Sequence, residues 1–216
     1  MLGPGLPSPL VSLLRLVAPA YCAACGLALV ADEDGFCGGC GLLLDVLPAS
    51  QRPPREAAAG YAYGGPLAEA ICRLKYGGRT DLAGVLGRRL ADLCAAYAGE
   101  VDVVVPLPLH PARLRERGFN QAALLARPVA RALGVALDTR SLRRVRPTAV
   151  QASLPRPRRL DNVRGAFVAV RSARPARVLL IDDVRTTGAT LAASADALLA
   201  AGYPRVYTLA LARAEA

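Results

Sequence analysis

One segment limits what this chain can fold into more than any other: Val178-Leu-Leu-Ile-Asp-Asp-Val-Arg-Thr-Thr-Gly-Ala-Thr-Leu191. An apolar run without alternation is the mark of a strand buried on both faces. Such strands belong to parallel sheets covered by helices on each side. Here the run ends in two carboxylates, and a Thr-Thr-Gly turn then opens a helix read over Thr190 to Ala201. The amides at a helix N-terminus lack intrahelical partners and face an anion readily. Gly188 admits left-handed angles and lets a ligand come close to the backbone. Thr186, Thr187 and Thr190 add hydroxyls. Asp182 and Asp183 would repel that anion, so they suit vicinal hydroxyls or a divalent cation at the other end of the same ligand. A plain strand end and helix cap also uses Thr and Asp. It needs neither two adjacent acids nor three threonines.

The rest of the C-terminal part alternates strand and helix patterns. The periodicity predicts a short strand at Tyr61 to Tyr63 and helices over Pro66 to Tyr76, Asp81 to Tyr97 and Asn120 to Leu133. Strands are expected at Val101 to Val105, Ser141 to Val145, Ala166 to Val170, Arg177 to Ile181 and Arg205 to Leu211. The fold class that follows is α/β, a mostly parallel sheet with helices on both faces. Ligands of such sheets sit beyond the carboxyl ends of the strands. Two parts are expected. Residues 1–46 carry an apolar leader helix and a cysteine-rich unit, residues 46–57 read as a Pro-rich linker, and residues 58–216 form the main domain.

Cys22-Ala-Ala-Cys25 and Cys37-Gly-Gly-Cys40 are paired knuckles, Gly26 and Gly41 following them. The spacing fits a structural zinc held by Cys22, Cys25, Cys37 and Cys40. Four thiolates close the shell and leave no open position for catalysis. Disulfides and an iron–sulfur cluster draw on the same residue type and stand as alternatives. Cys72 and Cys94 fall on helical faces and read as core residues.

No stretch is long and apolar enough to span a bilayer. The leader has no basic residues ahead of its apolar run and Arg15 interrupts it, which argues against an export signal and for a cytoplasmic setting. The formal charge is +10, and Lys75 is the only lysine among 27 basic residues. Basic balance favours phosphorylated or nucleic-acid partners without choosing between them. Residues 140–164 hold eight arginines against the single acid Asp161, with Pro147, Pro155 and Pro157 interrupting any helix. A solvated basic loop, a mobile cover over a site and a weak nucleic-acid surface all fit that composition. Pro106 to Gly118 reads as a loop after a strand, placing His110, Arg113, Arg115 and Arg117 at the edge that carries the acid pair. Those cations suit a diphosphate or a nucleic-acid backbone. Lys75 with Gly77 and Gly78 reads either as a cationic turn of the site or as an ordinary helix end.

The segment from Val178 to Leu191 resembles the signature of the type I phosphoribosyltransferases, which bind 5-phosphoribosyl-1-pyrophosphate (PRPP). Arg73-Leu-Lys-Tyr-Gly-Gly-Arg79, Pro106 to Gln121, Thr148 to Gln151 and Arg159 to Phe167 are together similar to the ComF (competence protein F) family, and the similarity takes in the cysteines. The resemblance implies a type I phosphoribosyltransferase-like domain with an N-terminal zinc knuckle, linked to uptake of single-stranded DNA. It implies that Asp182 and Asp183 hold the ribose hydroxyls and that Arg185, Thr186, Thr187, Gly188, Ala189 and Thr190 hold the 5-phosphate. Magnesium would accompany the pyrophosphate. Asp182, Asp183 and Lys75 are the expected catalytic residues, with Lys75, His110, Arg113, Arg115 and Arg117 against pyrophosphate or nucleic acid. The acceptor of a phosphoribosyl transfer is not legible. The competing reading is a non-catalytic ribose-phosphate sensor or single-stranded-DNA module serving a helicase-like partner.

Overall fold

The computed structural model describes residues 20–30, 32–53, 56–147, 163, 165–170 and 176–214. The leader and most of the arginine-rich stretch after Pro147 lie outside these residues. The main sheet has five strands: β1 (Ala57–Ala62), β2 (Val103–Pro106), β3 (Ala136–Leu137), β6 (Arg177–Arg185) and β7 (Arg205–Arg213). They run in the order β1-β7-β6-β2-β3, and every pairing is parallel. β4 (Leu142–Arg144) and β5 (Phe167–Ala169) form a separate antiparallel pair.

The apolar run of β6 is explained by the two cores it divides. Leu179 and Ile181 pack on one side with Val104, Leu209 and Leu211. Val178 and Leu180 pack on the other with Val105 and Ala210. The first side is covered by α2 (Gly65–Tyr76), α3 (Leu82–Asp92) and α5 (Gln121–Leu133). The second is covered by α6 (Ala189–Ala200) and the β4–β5 pair. A Cβ on Gly87 of α3 would stand 2.7 Å from Pro128 of α5, so the glycine lets those helices meet at close range.

Several boundaries differ from those read in the sequence. β6 runs on to Arg185, because the ladder with β7 continues past the apolar run: Asp182 pairs with Ala210, Val184 with Ala212 and Arg185 with Arg213. α6 starts at Ala189 with Gly188 as its N-cap at φ 82°. The described residues of the stretch 46–57 are not a free linker. Val46 bridges Tyr61, Ala49–Gln51 form a 3-10 turn, and Thr208 N donates to Glu56 O at 2.7 Å. The stretch after β2 is not wholly loop, since Pro111–Arg117 form a short helix, α4. Pro111 at the first helical position and Gly118 at φ 81° bound it, a pairing favoured at helix ends.

The N-terminal unit, which contains the short helix α1 (Gly38–Leu42), packs on the same core as the α2–α3 face through Cys22, Ala23, Ala24, Leu29 and Phe36. Arg88 of α3 pairs with Asp34 at 2.7 Å. No helix among the described residues is long and apolar enough to cross a membrane.

Candidate ribose-phosphate site and cysteine centre

Asp182 and Asp183 close the buried part of β6 and are 7% and 3% exposed. Their side chains leave the strand on opposite faces. Asp183 faces α2 and α5. Its Oδ2 pairs with the Lys75 ammonium at the end of α2, and its Oδ1 accepts from Gln121 Nε2 at 3.2 Å. Gln121 Oε1 in turn accepts from Arg117 Nη1 at 2.7 Å. Asp182 Oδ1 accepts from the Asp183 amide at 2.8 Å.

The two carboxyls are driven apart in acidity. Burial raises Asp182, and the charge of Asp183 beside it raises it further, well above the usual carboxylate range. Burial also pushes Asp183 upward, but the Lys75 ammonium and the Gln121 amide outweigh it and hold that carboxyl below its usual value. Burial pulls the Lys75 ammonium down, and Asp183 more than restores it. Net, the site holds one anion shared with one cation, next to a second acid reluctant to ionise.

The turn Thr186-Thr187-Gly188 follows directly, and Thr187 Oγ1 accepts from Ala189 N at 3.4 Å. Of the residues expected to bind phosphate, Thr186, Thr187 and Gly188 are in the turn, Ala189 and Thr190 open α6, and Arg185 ends β6. Arg185 Nη1 donates to Ala57 O at 3.3 Å.

On the β2 side two clefts flank the acids. One, of ≈ 480 Å³, is lined by Lys75, Tyr76, Gly78, Arg113, Glu116, Arg117 and Phe119. The Arg117 guanidinium lies over the Tyr76 ring, 5.1 Å from its centre. The second, of ≈ 230 Å³, joins His110, Arg113 and Glu116 of the α4 region to Arg144 and Pro147. His110 is the N-cap of α4, its Nδ1 accepting from Ala112 N at 3.2 Å, so its structural role is explicit. Arg113 and Arg117, one helical turn apart, share the first cleft. Arg115 is exposed and falls on the opposite side of α4 by helical spacing. Tyr76, Phe119 and Gln121 fall inside the segments quoted above and Arg144 inside the arginine-rich stretch, but none was given a role of its own.

In the N-terminal unit the sulfurs of Cys22, Cys25, Cys37 and Cys40 all lie within 4.8 Å of one another. Cys25 and Cys37 Sγ are 3.7 Å apart. A tetrahedron with Zn–S bonds of about 2.3 Å has edges of ~3.8 Å, so the donor set fits zinc. Burial pushes the Cys22 thiol up, but the backbone amides of Cys37, Cys25 and Ala24 outweigh it and bring it to about 6. Burial and the three neighbouring sulfurs push Cys40 to about 12. Cys22 is thus favoured as a thiolate, and Cys40 is not.

No protein-family model matches the chain. It is 31% identical over 224 residues to the DNA utilization protein YhgH of Salmonella typhimurium, covering 92% of this chain and 99% of that one. Identity to YhgH of Escherichia coli K12 is 33% over 205 residues and 89% of each chain. Competence protein F of Haemophilus influenzae is 30% identical over 204 residues, 90% of this chain and 85% of the other. The chain belongs to the ComF/YhgH family. Among solved structures, a Bacillus subtilis glutamine PRPP amidotransferase complexed with ADP and GMP overlaps 64% of this chain and 30% of its own, at 23% identity and TM-score 0.44. The orotate phosphoribosyltransferase of Aeropyrum pernix overlaps 63% of this chain and 60% of its own, at 22% identity and TM-score 0.35.

Proposed function

We propose that this ComF-family chain binds PRPP at the carboxyl end of β6 and transfers its phosphoribosyl group in the handling of single-stranded DNA. One observation carries the reading: a buried acid pair, half neutralised by Lys75, stands directly before the Thr186-Thr187-Gly188 turn and the N-terminus of α6. The turn and the first amides of α6 would hold the 5-phosphate. Asp182 and Asp183 would take the ribose hydroxyls. Lys75 keeps the acids from repelling a ligand that carries phosphate at both ends. In the reaction the bond from ribose C1 to the pyrophosphate breaks with its electron pair going to oxygen. The acceptor closes a new bond to C1 and gives up a proton. Positive charge grows on the ribose beside Asp183, and negative charge grows on the leaving group facing Arg113 and Arg117. Because Lys75 already pairs with Asp183, magnesium would come as the counter-ion of the pyrophosphate and would supply charge neutralisation there.

The test is isothermal titration of PRPP with magnesium into the zinc-loaded chain and its Asp182→Asn, Asp183→Asn variant, both verified as folded by circular dichroism. Micromolar binding weakened by about a hundredfold in the variant, the worth of two hydrogen bonds to charged acceptors, supports the site. Absence of binding by the folded parent chain sinks it.

A second reading, a single-stranded-DNA module without turnover, is favoured by Tyr76. This residue is 74% exposed and shares a cleft with Arg113, Arg117 and Phe119. An aromatic face among cations stacks unpaired bases, at about 1–3 kcal/mol per base. Oligonucleotide binding that weakens with salt at a log–log slope of about −4, together with no response to PRPP, would select this reading.

A further inference from the structure

We propose that Arg185 and Arg213 form a second phosphoryl-binding subsite beside the Thr186–Gly188 turn, one that PRPP itself does not reach and that a ribose 5-phosphate extended by a further phosphate would occupy. The orientation of that ligand rests on the reading above, but the arginine pair itself does not.

The pair is set by sheet register. Arg185 and Arg213 are opposite one another at the ends of β6 and β7. Both line a cleft of ≈ 500 Å³ with Ser50, Gln51, Glu56 and Ala57. Their partners are neutral: Arg185 donates to the Ala57 carbonyl and Arg213 to Gln51 Oε1. Glu56 is the acid of this cleft, but its carboxylate is exposed and sits 3.8 Å from Arg205 instead. No carboxylate among the described residues pairs with either arginine of the cleft. Burial and the charge of Arg213 both pull the Arg185 guanidinium below its ordinary value. Two half-buried like charges with neutral partners raise the energy of the empty cleft, and an anion lowers it. Guanidinium forks suit phosphate oxygens in pairs.

The cleft is continuous with the turn. Arg185 Nε is 3.3 Å from the position a Cβ on Gly188 would take. Arg185 also lines an adjoining groove of ≈ 400 Å³ with Thr187, Gly188 and Ala189. A phosphate on the arginine pair is therefore the next group outward from a 5-phosphate on the turn. Arg113 and Arg117, which face the pyrophosphate end, line a different cleft.

Isothermal titration with ribose 5-phosphate and ADP-ribose reads this directly, because ADP-ribose carries a second phosphate on the same 5-phosphate. The parent chain should bind ADP-ribose about tenfold more tightly, the worth of one hydrogen bond to a charged group. Arg213→Gln should erase that gain and leave ribose 5-phosphate within about twofold, since Arg213 does not line the groove at the turn itself. Equal affinities in the parent chain, or a gain that survives Arg213→Gln, would overturn the subsite. A 5′-phosphorylated diadenylate, whose second phosphate is joined through a sugar, distinguishes the sources. If it shows the larger Arg213-dependent gain, the second phosphate belongs to a nucleic-acid strand; if ADP-ribose does, it belongs to a nucleoside diphosphate. Should ribose 5-phosphate fail to bind at all, the phosphoribosyl reading falls. Inorganic pyrophosphate then decides the cleft alone, titrated in an Arg113→Gln, Arg117→Gln background with and without Arg213→Gln. Binding that is lost with Arg213 upholds the subsite, and its persistence or absence from the start rejects it.

Discussion

Lys75 Nζ and Asp183 Oδ2 form an ion pair in which the lysine side chain is 18% exposed and the carboxylate 4%. It joins the end of α2 to the end of β6 with the chain's only lysine. An ammonium is a compact point charge on a flexible stem, whereas a guanidinium is a wide planar fork. In a chain that uses arginine everywhere else, the narrow contact accounts for the exception.

Lys75→Met should therefore destabilise the fold by about 3 kcal/mol, because it leaves Asp183 a buried carboxylate without its cation. Adding Asp183→Asn should recover part of that loss. Urea denaturation of both single variants and the double variant gives the coupling; a coupling near zero would mean that the pair carries no net interaction.

How much of this was legible in the sequence depends on whether the signal was local. The unbroken run Val178 to Ile181 announced a strand buried on both faces, and Gly134 at φ 67° ends α5 where the periodicity stops. Asn120 caps the same helix by accepting from Ala122 N at 3.0 Å. The extension of β6 through Asp182 to Arg185 was hidden, since polar residues there are held by a ladder to β7. α4 was missed because the Pro-rich stretch around it reads as loop, although His110-Pro111 is itself a helix start. The acid pair and the cysteines were found by motif. Arg213 was not, because its position follows from strand packing, and Gln121 lay inside the segment Pro106 to Gln121 without a role assigned to it.

Titration separates the two acids. Asp182 is raised when folded, so the folded chain binds its proton more tightly than the unfolded chain. Its contribution is fully favourable below the unfolded value of about 3.9 and is lost as pH rises through the folded one. Asp183 is lowered, and its contribution is present above that unfolded value and lost as pH falls through the folded one. Asp182→Asn should thus gain stability over the parent as pH climbs from about 4, levelling once the parent acid has ionised. Urea midpoints across that range test it, and a difference that stays flat with pH would contradict the assignment.

Gly188 and Gly202 bound α6 with φ of 82° and 92°. Alanine at either position carries the left-handed penalty of about 1–2 kcal/mol. Only at Gly188 does the new Cβ meet a side chain, 3.3 Å from Arg185 Nε, whereas at Gly202 nothing lies within 4 Å. Thermal denaturation should show similar losses for the two variants. Ribose 5-phosphate binding should weaken in Gly188→Ala alone, and equal weakening in both would remove the turn from the site.

The cysteine cluster gives the last expectation. Its four sulfurs fit a zinc tetrahedron, and the residues between them, Ala23, Ala24 and Phe36 among them, are buried against α2 and α3. A structural zinc contributes about 10–16 kcal/mol toward ordering such a segment. Metal analysis should find one zinc per chain, and chelation should lower Tm while exposing apolar surface to a hydrophobic dye. Cys25→Ser should lose the metal. Cys72→Ser should keep it, because that thiol stands apart, 3.6 Å from the Tyr63 hydroxyl. A purified chain with visible charge-transfer absorption and iron in place of zinc would reassign the centre to an iron–sulfur cluster on the same four ligands.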